Sequence, residues 1–203
     1  GPYNLDTNID SEGKLLNPRN RWGGITRRMD TRDFETANIE YIEFWLMDPF
    51  VNDEFGMARG GDLYFNLGEI SEDVLKDGKK FFENGLPVDG EITAVGTSVW
   101  GKYPIRQSTV YAFDNSHGNE SRRVQDVGLN GLSTEEEKSF PAYSTYLNEI
   151  IPKLSNDALS RMQADKHSPL NDPSGDSFRH YRGQEQDQEQ LSILDRYKYY
   201  NGT

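Results

Sequence analysis

The chain of 203 residues contains no cysteine. This absence excludes disulfides, cysteine-based zinc sites and cysteine nucleophiles. Histidine is also scarce: His117, His167 and His180 are the three present, and they lie far apart in polar stretches. A shared metal site would therefore depend on long-range folding. We predict no metal ligands and no cofactor.

Long apolar runs are missing as well. No stretch reaches the ~20 apolar residues of a membrane-spanning helix, and no signal peptide is visible, which is compatible with a piece of a longer precursor. Hydrophobic residues make up 34% of the chain, and the mean hydropathy is -0.84. We expect a core in the first half and extended, partner-dependent segments in the second.

Basic residues are fewer than acidic residues. The chain has 22 basic and 34 acidic residues, which gives a net charge of -12. A phosphate backbone would be repelled by this charge, so nucleic acid is not an expected partner.

Known catalytic spacings are also absent. There is no His-Glu-x-x-His and no Gly-x-Ser-x-Gly, and the pairs Gly23-Gly24 and Gly60-Gly61 lack the pattern and the following helix of a phosphate-binding loop. Glu40 and Glu43 would lie on opposite faces of a strand and so could not act as a catalytic pair. We predict that the chain is not an enzyme and has no catalytic residues.

A second group of carboxylates precedes Gly13. Asp6, Asn8, Asp10 and Glu12 alternate as in an oxygen-ligand calcium loop. The glycine is misplaced relative to the EF-hand pattern, however, and no glutamate occupies the twelfth position. We favour a solvated loop over a calcium site.

The most apolar stretch, residues 38–47, organises the first half. Its β-branched and aromatic residues favour a strand, and both of its faces are apolar, which is typical of a central strand covered on two sides. Alternation at residues 62–68 predicts a half-buried neighbouring strand. Ser71 has the features of a helix N-cap, and residues 91–100 and 103–113 carry further strand signals.

The second half has helical signals. Ser133 and Glu136 form a capping-box pattern, and Pro141 can open the next helix. Ser155 is a further candidate N-cap. Residues 165–190 have almost nothing to bury, so we expect them to be ordered only by contacts with something else.

These elements predict a mixed α/β (α+β) fold with short helices and long irregular segments around an antiparallel sheet, for which a jelly-roll-like form is one option. We divide the chain into a β-rich core region with one helix (1–114), a helical segment (115–164) and a polar, partner-dependent tail with a short terminal helix (165–203).

Several motifs, taken together and in order, resemble the SprA/Sov family. They are Gly1-Pro-Tyr-Asn4, Arg21-Trp-Gly-Gly-Ile25, Asp33-Phe-Glu35, Asn38-Ile-Glu-Tyr-Ile-Glu-Phe-Trp-Leu46, Asp48-Pro-Phe50, Gly61-Asp-Leu-Tyr-Phe-Asn-Leu-Gly68, Ile70-Ser-Glu-Asp73, Lys80-Phe-Phe-Glu-Asn-Gly-Leu-Pro87, Val127-Gly-Leu-Asn-Gly-Leu132 and Leu194-Asp-Arg-Tyr-Lys198. The resemblance covers most of residues 1–151 and the last dozen, and it is weak between 156 and 190.

This family forms the outer-membrane translocon of the type IX secretion system of Bacteroidota. The resemblance implies a giant transmembrane barrel for secreted cargo proteins, with roles in gliding motility, and as partners a PorV-type outer-membrane barrel and a periplasmic plug protein. The present chain is too short and too polar to be that barrel. We therefore expect a structural or gating segment, an insertion or a fragment, on the extracellular side of the outer membrane, with the periplasmic side as the alternative.

A second hypothesis comes from another class of protein. Paired strands with exposed aromatic residues such as Tyr64 and Trp100 are also typical of a jelly-roll-like module that binds glycans or calcium.

Overall fold

The computed structural model describes residues 5–23, 31, 33–46, 48, 60–68, 75, 77–79, 81, 95–106, 128–177, 179 and 181–198. The chain divides into two compact units. Unit 1 comprises Gly1–Asn17 and Ile70–Thr203, and unit 2 comprises Pro18–Glu69. The division into three regions that the sequence predicted, 1–114, 115–164 and 165–203, remains a prediction.

Unit 1 is a mixed α+β structure, as predicted. Within its described residues, β1 (Val95–Thr97) and β2 (Lys102–Pro104) form an antiparallel pair, followed by the helices α1 (Thr134–Ser139), α2 (Pro141–Ile150), α3 (Asn156–Ala164), α4 (Gln184–Gln188) and α5 (Ile193–Lys198). A 3₁₀ turn, Ile151–Lys153, joins α2 to α3. A jelly-roll is not among the described elements.

The helix starts follow the sequence signals. The Ser133 side chain accepts a hydrogen bond from the Glu136 N–H, and the Glu136 carboxylate accepts one from the Ser133 N–H, which completes the predicted capping box. Pro141 occupies the first turn of α2. Ser155 caps α3 by accepting from the Ala158 N–H. The local predictions of these three helices are confirmed: α1 and α3 have side-chain caps, and α2 begins at its proline.

The core of unit 1 forms around one face of α2. Tyr143, Leu147 and Ile150 on that face are buried, at the spacing that places residues on the same side of a helix. Among the described residues, Leu75, Phe81, Leu132 and Ala158 are also buried. Most of this described core lies in the second half of the chain, whereas the sequence predicted a core in the first half.

The strand pair is shorter than the predicted strand signals. Residues 95–97 pair with 102–104, whereas 91–94 and 107–113 lie outside the described residues. The turn between the strands contacts the rest of unit 1, because the Lys102 N–H donates to the Asn130 carbonyl at 2.8 Å. Gly101 is required there, since a Cβ would lie 2.2 Å from the Asn130 carbonyl oxygen.

The N-terminal segment of unit 1 packs on the region around α3. The Ser155 N–H donates to the Ser11 carbonyl at 2.8 Å. Glu12 forms an ion pair with Arg161 at 2.6 Å, and this pair lowers the pKa of Glu12. Gly13 approaches the Met162 side chain so closely that a Cβ would lie 3.1 Å from its sulfur.

Residues 165–177 correct the expectation that this stretch is ordered only by a partner. Asn171 donates to the Gln163 and Asp165 carbonyls at 3.0 and 2.8 Å, at the C-terminal end of α3. Ser174 is buried against α1. Hydrogen bonds rather than apolar burial hold this segment to its own chain, and for that reason the apolar pattern did not predict it.

Unit 2 differs most from the sequence expectation. Its described residues include a 3₁₀ turn at Pro18–Asn20 and a turn at residues 34–38. The predicted strands at 38–47 and 62–68 are wrong for the described residues, because 39–46 and 61–67 have no regular secondary structure and are exposed. The predicted helix after Ser71 falls mainly on residues 71–74 and 76, which lie outside the described residues.

Candidate functional site

The first candidate site is a pair of segments without regular secondary structure in unit 2, residues 39–46 and 60–67, which we call the exposed aromatic segments. Trp45 is fully exposed, with a relative accessibility of 103%, and Tyr41 and Tyr64 are nearly four-fifths exposed. Monomeric proteins rarely expose so many large apolar side chains in neighbouring stretches without a binding role. These segments are therefore a candidate interaction surface.

Side chains rather than the backbone connect the two segments. The Phe44 and Phe65 rings lie 4.9 Å apart, centroid to centroid. In the described residues, no backbone–backbone hydrogen bond joins one segment to the other. A segment that is not paired with its neighbour through the backbone can add as a strand to the edge of another sheet, and alternate side chains can then enter pockets on the partner.

Carboxylates near these segments have structural or solvent roles. Asp33 accepts hydrogen bonds from the Thr36 hydroxyl at 2.6 Å and the Thr36 N–H at 3.0 Å, and these bonds lower the pKa of Asp33. Asp33 therefore stabilises the turn at 34–38. Glu40 and Glu43 are both exposed. They therefore do not need the hydrogen-bonding or charged partner that a buried carboxylate requires.

The second candidate is a buried polar cluster in unit 1, formed by Asn130, Glu137, Tyr143, Ser174 and Asp176. The Asn130 side-chain amide donates to Glu137 Oε1 at 2.6 Å and to Tyr143 Oη at 2.9 Å. Ser174 contacts Glu137 through both its N–H, at 3.2 Å to Oε2, and its hydroxyl, at 2.6 Å to Oε1. The same hydroxyl contacts Asp176 Oδ1. The cluster thus joins four parts of unit 1: the turn at 128–131, α1, α2 and segment 172–177.

Backbone donors complete the cluster. Asp176 Oδ2 accepts from the Leu129 N–H at 2.9 Å and the Asn130 N–H at 3.2 Å. Gly128 lies against the same carboxylate, since a Cβ would be 2.4 Å from Asp176 Oδ1. The Val127-Gly-Leu-Asn-Gly-Leu132 motif therefore supplies the turn that receives Asp176.

Burial dominates the electrostatics of the cluster. Glu137 is 1% exposed, and burial followed by the nearby Asp176 carboxylate raises the pKa of Glu137 to about 8. Burial also raises the pKa of Asp176 and of Tyr143. In the described part of the chain, no Lys, Arg or His forms an ion pair or hydrogen bond with Glu137 or Asp176. The low-dielectric surroundings therefore favour a neutral acid.

A cation is a poor match for this cluster. Oxygens of Glu137, Asp172 and Asp176 lie within 4.8 Å of one another. Asp172, however, accepts from the Gly175 and Ser177 N–H groups, and the other two carboxylates accept the bonds described above. These internal donors occupy the oxygens that a metal would need, so we assign the three carboxylates a cross-linking role.

The calcium-like residues near the N-terminus are used internally too. Asp10 Oδ1 accepts from the Glu12 and Lys14 N–H groups, each at 2.9 Å. Asp6 accepts from the Asn8 N–H. With Glu12 bonded to Arg161, these contacts favour the loop interpretation.

Of the three histidines, the structure describes His167. Its Nε2 lies 2.8 Å from an Arg179 guanidinium nitrogen. Since a guanidinium can only donate, the imidazole accepts at Nε2. Burial and the neighbouring Arg179 charge lower the pKa of His167. His117 and His180 lie outside the described residues.

Sequence reasoning missed the buried cluster. Glu137 follows Glu135 and Glu136, and a helix start with several carboxylates is normally a solvated one. What buries Glu137 is a segment 37 residues away. The local signal in this part of the sequence is a capping box directly after a glycine-rich turn. That signal predicts the start of the helix and does not predict the buried cluster.

Comparison of the chain with protein-family models, curated proteins and solved structures gave no match. No helix in the described residues has the length and apolar character needed to cross a membrane.

Proposed function

We propose that this chain is a non-catalytic structural or gating segment of a bacterial outer-membrane protein-secretion translocon, of the type IX kind associated with gliding motility. The ordered motifs that resemble the SprA/Sov family support the proposal. The observation that carries it is the exposure of two of those motifs, because the exposed aromatic segments have no cover in the described residues.

Burial of these segments against a partner would be favourable. Each large apolar side chain removed from water contributes about 1.5 to 3 kcal/mol. Trp and Tyr are also the residue types enriched at the energetic centres of interfaces. We therefore assign Trp45 and Tyr64 to contacts with the remainder of the translocon barrel, by strand addition at residues 39–46.

The acidic balance is compatible with a position beside a path for cargo. A net charge of -12 limits nonspecific adhesion to an anionic cell surface. In this proposal the segment lies on the extracellular side of the outer membrane, with the periplasmic side as the alternative. A PorV-type barrel, a periplasmic plug protein and secreted cargo are its further partners.

The proposal is tested in a full-length translocon that carries Trp45→Ser and Tyr64→Ser together. We expect slower cargo secretion or a leakier pore. The matched control is the double variant Val99→Ser and Ile105→Ser, because both of these residues are also exposed but belong to unit 1 and lie outside the motifs that resemble the family. Barrel assembly is verified separately in both.

Deletion of residues 38–151 gives the stronger test. Cargo secretion at the normal rate with no additional leak, in a translocon that still assembles, would show that the segment neither gates nor supports transport.

The exposed rings also favour the second candidate, a jelly-roll-like module that binds glycans. Trp45 and Tyr64 are exposed and carry rings of the kind on which sugars stack. Trp100, which the sequence analysis also expected to be exposed, is half-buried. Binding on a glycan array that is lost in the Trp45→Ser and Tyr64→Ser variant, together with melting that depends on calcium, would favour this candidate over the translocon segment.

A further inference from the structure

The Ser174 hydroxyl has fewer protons than its contacts require. It lies 2.6 Å from Glu137 Oε1 and also contacts Asp176 Oδ1. A serine hydroxyl has one hydrogen, so it can donate to one of these oxygens but not to both. If both carboxyl groups were ionised, one oxygen–oxygen contact would contain no hydrogen. The geometry therefore requires one more proton, carried by one of the two carboxyl groups.

The surroundings supply no other compensation. Glu137 on α1 is approached by Asp176 and Asp172 from segment 172–177, by Asn130 from the turn at 128–131, and by Tyr143 from α2. All the titratable groups in this set become negative when they lose a proton. The basic side chains bonded to α1 carboxylates are Lys102, on Glu136, and Lys138, on Glu135, and neither bonds Glu137. Among the described residues, a second negative charge in the cluster would have no cation bonded to it.

The hydrogen bonds that depend on this proton also connect segment 172–177 to the rest of unit 1. Ser174 is bonded to Glu137, and Asp176 to the Leu129 and Asn130 N–H groups. Other described contacts of this segment are the Ser177–Thr134 hydroxyl pair, at 3.3 Å, and the Asp172 N–H, which donates to the Ser168 carbonyl at 2.9 Å. Repulsion within the cluster therefore acts on the contacts that join Ser174 and Asp176 to α1 and to the turn at 128–131.

We propose that Glu137, Ser174 and Asp176 form a proton-dependent latch, in which one shared proton keeps segment 172–177 closed on α1 and the turn at 128–131, and loss of that proton opens it. The charge on the pair rises from one to two on opening, and the released carboxylates gain hydration. Because the pKa of Glu137 is raised to about 8, the latch is closed at neutral pH and opens in mildly alkaline solution. This device is independent of the translocon proposal, since it requires only unit 1.

Amide hydrogen exchange of the 203-residue chain between pH 6 and 9.5 tests the latch. After correction for intrinsic exchange rates, protection at the Ser174 and Leu129 amides should fall about tenfold per pH unit above pH 8, as expected for release of one proton. The Ile150 amide in α2 should keep its protection, which separates latch opening from global unfolding. Constant protection of Ser174 and Leu129 across this range would overturn the proposal.

Glu137→Gln is the decisive variant, because its amide is neutral at every pH. It cannot satisfy both the Asn130 amide and the Ser174 N–H, so lower protection is expected overall, but the dependence on pH should disappear. Glu135→Gln is the matched control on the same helix, with an exposed side chain, and should behave as the unmodified chain does. Equal flattening in both variants would contradict a role for Glu137.

Two further measurements on the unmodified chain keep the test independent of folding in the variants. The carboxyl carbon resonance of Glu137 or Asp176 should titrate above pH 7, and titration of both below pH 5.5 would overturn the latch. Restoration of Ser174 protection at pH 9 by calcium alone would also overturn it, because the cluster would then be a cation site.

Discussion

Asn130 donates to Tyr143 Oη at 2.9 Å, and the Tyr143 hydroxyl in turn donates to the Trp100 carbonyl at 2.8 Å. Both residues are fully buried. The relay links the turn at 128–131, α2 and the strand pair through two side chains. Every polar atom of the Asn130 side chain is engaged, since its Oδ1 accepts from the Leu132 N–H at 2.9 Å.

Asn130→Ala is therefore expected to lower the free energy of unfolding by about 2 kcal/mol, because it removes one hydrogen-bond partner from each of the buried groups of Glu137, Tyr143 and Leu132. Urea denaturation measures the change. Asn156→Ala is the control, since Asn156 is exposed at the start of α3. Similar losses in the two variants would argue against a buried role for Asn130.

Gly128 and Gly175 form a matched pair for a second prediction. Both have positive φ, +63° and +67°, but a Cβ on Gly128 would meet the Asp176 carboxylate, whereas one on Gly175 would meet nothing within 4 Å. Gly175→Ala should cost about 1 to 2 kcal/mol of strain. Gly128→Ala should cost clearly more, because Asp176 must also move. Thermal unfolding of both variants compares them, and equal costs would contradict the close approach.

Glu137 predicts how stability depends on pH. Its pKa is raised from 4.5 to about 8 on folding, first by burial and then by Asp176, so between these values the folded state binds more protons than the unfolded state. Its contribution is complete below pH 4.5, falls by roughly 1.4 kcal/mol per pH unit as the pH rises, and is lost above about pH 8.

Urea unfolding at pH 5, 6, 7 and 8 measures this slope. Glu137→Gln should remove it, whereas Glu135→Gln should leave it unchanged. An identical slope with and without Glu137 would assign the dependence to other groups.

Substitutions of Trp45, which is exposed, and of Tyr143, which is buried, should have very different effects on stability. Trp45→Ala should change the free energy of unfolding by less than about 0.5 kcal/mol, because the side chain is fully exposed. Tyr143→Ala should cost about 3 to 5 kcal/mol, as is usual for a buried aromatic residue. Chemical denaturation of each variant gives both values. A large loss for Trp45→Ala would restore the sequence prediction of a covered central strand.

Four of the five described helices of unit 1 could be predicted because their signals are local. The helix α4 could not, because it has no side-chain cap and lies in a polar run that was expected to be ordered only by a partner. Ser133, Pro141 and Ser155 each specify a helix start within a few residues, and α5 lies within the predicted terminal helix. The buried cluster could not be predicted, because it depends on hydrogen bonds between polar residues far apart in sequence. For residues 39–46 the apolar pattern was interpreted as burial within this chain, yet the pattern itself does not specify which molecule provides the cover.

The docking of the N-terminal segment on α3 has a consequence for the timing of synthesis. The Ser155 hydroxyl and Glu12 meet across 143 positions of sequence. At 5 to 20 residues per second, a ribosome needs roughly 7 to 30 s to add that many residues. During that interval the first residues of unit 1 have no α3 to bind, while all of residues 18–69 are completed. Unit 1 therefore closes late, and a nascent chain interrupted before residue 155 would keep its N-terminal segment open to proteases or chaperones.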